Sequence, residues 1–137
     1  MTTEKIKHLE FVQNVITRMN KNSFQIKGWM ITIVSALLAL FASSNNETFI
    51  WIGIGPTVMF WLLDAYYLQQ ERKFRGVYND IAEITSQDKR LIIKDFEMPI
   101  YKYKSGKYCY FNVLTSMTII GIYMPVILAL VIVGIIV

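Results

Sequence analysis

The stretch WLLDAYYLQQERKFR, residues 61–75, begins as membrane filling and ends as a charged helix, and Asp64 stands four residues in, among Trp61, Leu62, Leu63, Tyr66 and Tyr67. A carboxylate at the centre of a bilayer costs at least about 2.5 kcal/mol even on the lenient insertion scale, so such a residue faces protein or water. Reading this stretch as the inner end of a membrane span organises the rest of the chain.

On either side of it the charges are segregated. Of 14 Lys and Arg, five lie in residues 1–27 and nine in 71–107, which leaves none for 28–70 or 108–137. A hydrophobic content of 54 % and a mean hydropathy of +0.39 in only 137 residues argue for a membrane protein over a small soluble domain. The first cation-free stretch opens with GWMITIVSALLALFASS, residues 28–44, at the short end of what a helix needs to cross a core of about 30 Å. The polar NNE at 45–47 ends it. A second span runs from Thr48 to Leu68, with Gly53, Gly55 and Pro56 near its outer end, where a loosened turn is tolerable. The third, residues 112–137, is long enough to span even if tilted or kinked at Pro125.

The expected architecture is therefore an all-α membrane protein. It divides into an amphipathic helix at 1–23, a hairpin of two spans at 24–70, a helix and loop at 71–107, and a third span at 108–137. Cations decide the orientation: both charged segments belong in the cytoplasm, the 45–47 loop lies outside, and three spans carry the C-terminus outside. A secretory leader ending at ALFASS is the competing reading of residues 1–44, but Glu4 and Glu10 make a poor charged n-region.

The charged segments carry helical patterns of their own. Ile6, Leu9, Val12, Ile16 and Met19 recur at three and four residue steps, forming one apolar stripe, and residues 20–23 read as a turn with Ser23 as cap for the first span. After the second span Phe74, Val77, Tyr78, Ile81 and Ile84 continue a stripe as far as Thr85 and Ser86, so one helix of about 35 residues would project from the bilayer. That stripe needs a partner, either the N-terminal helix or copies of itself in a homo-oligomer. Residues 87–107 are broken by Pro99 and Gly106 and promise only short helical or extended pieces.

Two quoted stretches, LEFVQNVITRMNKNSFQIKGWMITIVSALLAL and FWLLDAYYLQQERKFRGVYNDI, followed by DFEM, cover roughly residues 9–97. In their pattern of aromatic, amide and charged positions they resemble the small bacterial SLATT-like transmembrane effectors of nucleotide-dependent antiphage defence, a resemblance that extends to the membrane effectors of Hailong-type systems. The resemblance implies an oligomeric pore in a bacterial inner membrane, controlled by a nucleotide or oligonucleotide signal that a partner enzyme makes; the homo-oligomer is expected here as a tetramer. The third span and the lack of an attached sensor domain depart from the simplest two-span form.

The residues themselves give catalysis little support and call for no cofactor. One histidine, His8, and one cysteine, Cys109, cannot build a zinc site, and no phosphate loop or nucleophile motif is present. His8 reads as a solvated helix residue, and Cys109 as interfacial filler or a palmitoylation site. Gly28, Thr32, Ser35, Ala39 and Ser43 form one stripe of small residues along the first span, suited to close helix packing. Gly53, Thr57, Asp64 and Glu71 fall near one face of the second span and its extension.

Two accounts of Asp64 stay open. It pairs with Arg18, Lys27 or Arg72, or accepts from Asn22 or a tyrosine hydroxyl, or it repeats by symmetry into a carboxylate ring at a pore mouth with Glu71 about 10 Å further in. The alternation YKYKSGKYCY, residues 101–110, reads as an aromatic belt with headgroup lysines, or as a surface for bases and phosphates. The ligand-binding cations expected on the second view are Lys89, Arg90, Lys94, Lys102, Lys104 and Lys107. The function these features suggest is a ligand-gated homo-oligomeric channel or pore-forming effector in contact with membrane lipid. The alternative is a non-conducting anchor or transporter accessory subunit that recruits a cytoplasmic partner.

Overall fold

The computed structural model describes residues 2–104 and 106–137. Four α-helices follow one another: α1 (Thr3–Ser44), α2 (Thr48–Ile81), α3 (Tyr110–Leu114) and α4 (Met117–Ile136). Single 3-10 turns at Ile100–Lys102 and Gly106–Tyr108 lie between α2 and α3. No strand occurs among the described residues. Three helices, α1, α2 and α4, are long and apolar enough to cross a membrane.

The threonine hydroxyl of Thr2 opens α1 by accepting from the Lys5 amide at 3.2 Å, with Glu4 in the first turn against the helix dipole. The helix then runs 42 residues without a break. The turn expected at 20–23 does not form, because that segment holds no glycine or proline and the Ser23 hydroxyl is engaged across the interface with α2 instead of capping a new helix. Propensity loses here to a buried tertiary bond. Asn45, in the left-handed region at φ 55°, closes α1 with its amide on the Phe41 carbonyl at 2.7 Å. Asn46 accepts from the Thr48 amide at 3.0 Å and so starts α2 back along α1.

The long α2 matches the expected continuous helix, but it stops three residues early. Glu83 turns left-handed at φ 62°, and the Ile84 amide folds back onto the Asn79 carbonyl at 2.9 Å. Ile84 therefore leaves the stripe and is 67 % exposed. The remaining stripe finds its partner within the chain: Val77 and Ile81 pack on Val12 and Ile16 of α1 and on Tyr103, with Phe74 and Tyr78 half-buried beside them. Each such fully buried side chain is worth about 1.5–3 kcal/mol as an upper bound. No second copy is needed to cover this face.

At the apolar end Met30 and Val34 of α1, Ile50 of α2 and Ile119, Tyr123 and Leu130 of α4 form a second core. Glycines set the spacing of α4 on the hairpin. A Cβ on Gly134 would stand 2.7 Å from the Trp51 ring, and one on Gly53 would meet Leu37 at 3.4 Å and Leu130 at 3.5 Å. The third span is shorter than the expected 112–137, because the chain bends at Thr115 and Ser116 between α3 and α4. The Trp61 indole donates to the Leu114 carbonyl at 3.2 Å and the Tyr110 hydroxyl to the Leu62 carbonyl at 2.7 Å, so α3 is laid along α2 before α4 begins. The 20 residues of α4 then rise about 30 Å, the depth of a hydrocarbon core.

Candidate functional site

Asp64 occupies the point where all three long helices meet. It lies on α2 with no exposed surface, opposite Ser23 and Lys27 of α1 and Tyr123 of α4. Ser23 and Lys27 are four apart, hence on one face of α1. The Ser23 hydroxyl donates to Asp64 Oδ1. Lys27 Nζ stands 2.6 Å from Asp64 Oδ2 and donates to Ser23 Oγ at 2.8 Å, while the Tyr123 hydroxyl donates to Oδ2 at 2.8 Å. One carboxylate thus accepts from three groups, and its counter-ion is itself only 14 % exposed.

The energetic logic is that of a compensated buried charge. Desolvating a carboxylate is repaid only by a close opposite charge together with bonds to its remaining lone pairs, and both are present. Of the two accounts of Asp64, this geometry is the paired one. Of the partners expected from sequence, Lys27 is the cation, and the tyrosine hydroxyl comes from Tyr123, which nothing in the chain order singled out beyond its being the one tyrosine in the apolar run of α4.

The expected ring residues do not open to a lumen within the single chain. Glu71 is buried and paired with Arg75, whose guanidinium donates to Oε1 at 2.9 and 3.0 Å. Thr57 is buried and donates to the Gly53 carbonyl at 2.8 Å. Asp64, Glu71 and Thr57 do share the buried side of α2, as their spacing predicts, but that side is sealed by protein. Thr32 and Ser35 sit the other way: with Gly28, Ala39 and Ser43 they form an exposed stripe on α1, while Ser23, Ile26, Met30 and Val34 make its buried face. The small stripe is not the seam between the spans of this chain.

At the charged end the expected ligand-binding cations separate into two groups. Lys89, Lys102, Lys104 and Lys107 line one cavity of about 470 Å³ beside α2, with Gly76, Asn79, Tyr103 and Tyr108 among its walls. Arg90 and Lys94 lie outside it. The Arg90 guanidinium donates to the Thr85 carbonyl at 3.1 and 3.2 Å and pairs loosely with Glu83 at 3.9 Å, which ties down the bend after α2. The Lys94 amide is held by Glu97 Oε2 at 3.1 Å in a local turn. Sequence reasoning offered Arg72 to Asp64, where the structure does not place it, and missed Arg75 and Asn79. All three line an adjoining cavity of about 330 Å³ with Lys107, and their spacing of three and four on α2 was the available signal.

Tyrosines hold this region together from beneath. The Tyr103 hydroxyl donates to the buried Asp80 carboxylate, and Tyr103 meets Tyr108 edge-on at 5.2 Å. Both rings press against Gly76, where a Cβ would come within 2.6 Å of the Tyr108 oxygen. Burial, the bond to Asp80 and the charge of that carboxylate push the Tyr103 phenol well above its usual range. Burial and Asp80 move Tyr108 the same way. His8 is 1 % exposed, not solvated as expected: its Nε2–H donates to the Glu97 carbonyl at 2.6 Å, with Phe96 5.8 Å away. Cys109 is half-buried with a free thiol.

Comparison with protein-family models, with curated proteins and with solved structures returned no match for this chain.

Proposed function

We propose that the chain is the subunit of a homo-oligomeric channel or pore-forming effector of a bacterial inner membrane. In this reading its charged end lies in the cytoplasm, its C-terminus lies outside, and a ligand signal controls it, acting in antiphage defence as the resemblance implies. The observation that carries the reading is the exposed stripe Gly28, Thr32, Ser35, Ala39 and Ser43 on α1. A helix at membrane depth that turns small and hydroxyl residues outward presents the surface by which membrane helices approach one another closely. Repeated around an axis, Thr32 and Ser35 then border the path, while Asp64 and Glu71 brace the helices behind it. Control from the charged end is supported by the continuous course of α1 and α2 out of the apolar region, with neither proline nor glycine in α2 between Pro56 and Gly76.

Reconstitution of the purified protein in liposomes tests this. Ion flux that scales with protein and is reduced by Ser35→Trp is the expected result. A stable oligomer without flux would replace the channel with the non-conducting anchor that recruits a cytoplasmic partner.

A further inference from the structure

The two adjoining cavities beside α2 share Asn79 and Lys107 as walls, and between them they gather cations from three parts of the chain. Arg72 and Arg75 come from α2, Lys89 from the segment after it, and Lys102, Lys104 and Lys107 from the 3-10 turns and the residues between them. Asp80 is itself a wall of the larger cavity, where the Tyr103 hydroxyl donates to it, and Glu71 is paired with Arg75, so the cations here without a carboxylate partner among the described residues are Arg72 and the four lysines. The walls are anchored as well: Arg72 donates to the Lys107 carbonyl and Gln69 to the Tyr108 carbonyl, both at 3.0 Å, so the turn bearing the lysines is fastened to α2.

We propose that this cleft binds a ligand through two or more phosphate groups. Two cationic cavities joined at Lys107 and Asn79 match a compact polyanion, and guanidinium with ammonium groups is the donor set that phosphate oxygens select. The aromatic residues do not make it a stacking platform. Tyr103 is buried and Tyr108 half-buried against Gly76 and each other, so their faces support the cleft floor, and recognition goes to phosphate charge with little preference among bases. An occupant would tie α2 to the segment that leads through α3 into α4. That consequence rests on the reading of the chain as a ligand-controlled membrane protein; the binding itself does not.

The source of the phosphate is either soluble or a lipid headgroup, and two probes distinguish them. The full-length protein is titrated with inorganic pyrophosphate in phosphatidylcholine nanodiscs, and its melting temperature is compared in nanodiscs with and without phosphatidylglycerol. The variants are Lys102→Gln/Lys104→Gln/Lys107→Gln and, outside the cleft, Arg90→Gln/Lys94→Gln. Saturable pyrophosphate binding that weakens with salt, falls about tenfold or more in the lysine variant and persists in the other supports a soluble ligand. Stabilisation by phosphatidylglycerol that only the lysine variant loses supports a headgroup. No response to either probe, or equal response in both variants, overturns the proposal. The lysines are exposed, so the unliganded melting temperature of the variant serves as the check on its fold. Binding without flux in liposomes would remove the channel and leave the cleft, whereas flux without binding would do the reverse.

Discussion

Lys27 and Asp64 face each other across α1 and α2 at 2.6 Å, and the Asp64 carboxylate has no exposed surface. Breaking such a pair from one side leaves a buried ammonium without its counter-charge, so Asp64→Asn is expected to destabilise the fold by about 3–5 kcal/mol. Replacing both members, as Lys27→Met/Asp64→Leu, is expected to recover most of that loss. Unfolding in a graded mixture of detergents measures both. A single variant as stable as the parent would remove the pair from the energetics of the fold.

Gly76 is the position at which the charged end is most tightly constrained. Gly76→Ala places a Cβ within 2.6 Å of the Tyr108 oxygen and 2.9 Å of the Tyr103 ring, and it should cost about 1–3 kcal/mol as the tyrosines are forced outward. Gly121→Ala, with nothing within 4 Å, is the control and should be neutral or stabilising. Hydrogen exchange should rise across 100–108 in the first variant alone. Equal exchange in the two would contradict the packing described.

Tyr103 makes stability fall at alkaline pH. Its phenol is held well above the ordinary value of 10.0, so the unfolded chain releases this proton near that pH while the folded chain keeps it. The contribution is complete below about pH 10 and is lost as pH climbs toward the folded value. Stability followed between about pH 8 and 11 should decline less steeply in Tyr103→Phe than in the parent. Parallel curves would show that the phenol is not held as described.

The exposed stripe of α1 offers a test that spares the fold of the single chain. On the proposed reading, Ala39→Trp adds bulk at an exposed position of the stripe other than those bordering the path, so the helices should melt unchanged while close approach of a second copy is blocked. Native mass measurement in mild detergent is expected to show a smaller assembly. An oligomer of unaltered size would move the contact to another face.

Much of this fold was legible because membrane helices declare themselves by the absence of cations. The three apolar helices and the length of α2 follow from charge placement and helical spacing, whereas Lys27 was one of three cations that spacing offered to Asp64. What stayed hidden depended on irregular chain. Tyr123 reaches Asp64 only because α4 starts after the bend at Ser116, and no local signal fixes that start to within a turn. His8 is buried by Phe96 and Glu97, which lie in a segment without periodicity. The stripe through Val77 and Ile81 had two candidate partners in the sequence, and the one found is the N-terminal part of α1, through Val12 and Ile16. Residues 20–23 read as a turn from Asn20, Asn22 and Ser23, but the hydroxyl that would have capped a new helix is bonded to a residue 41 positions away.

Ser23 sits almost midway along the 42 residues of α1, with about 30 Å of helix on either side. Since the bond to Asp64 and the neighbouring Lys27 pin the helix there, α1 is a lever of nearly equal arms with its fulcrum at the clasp. A tilt about that fulcrum carries Thr3 and Ser44 equal distances in opposite directions, so the far end of the helix reproduces the travel of the near end with neither gain nor loss.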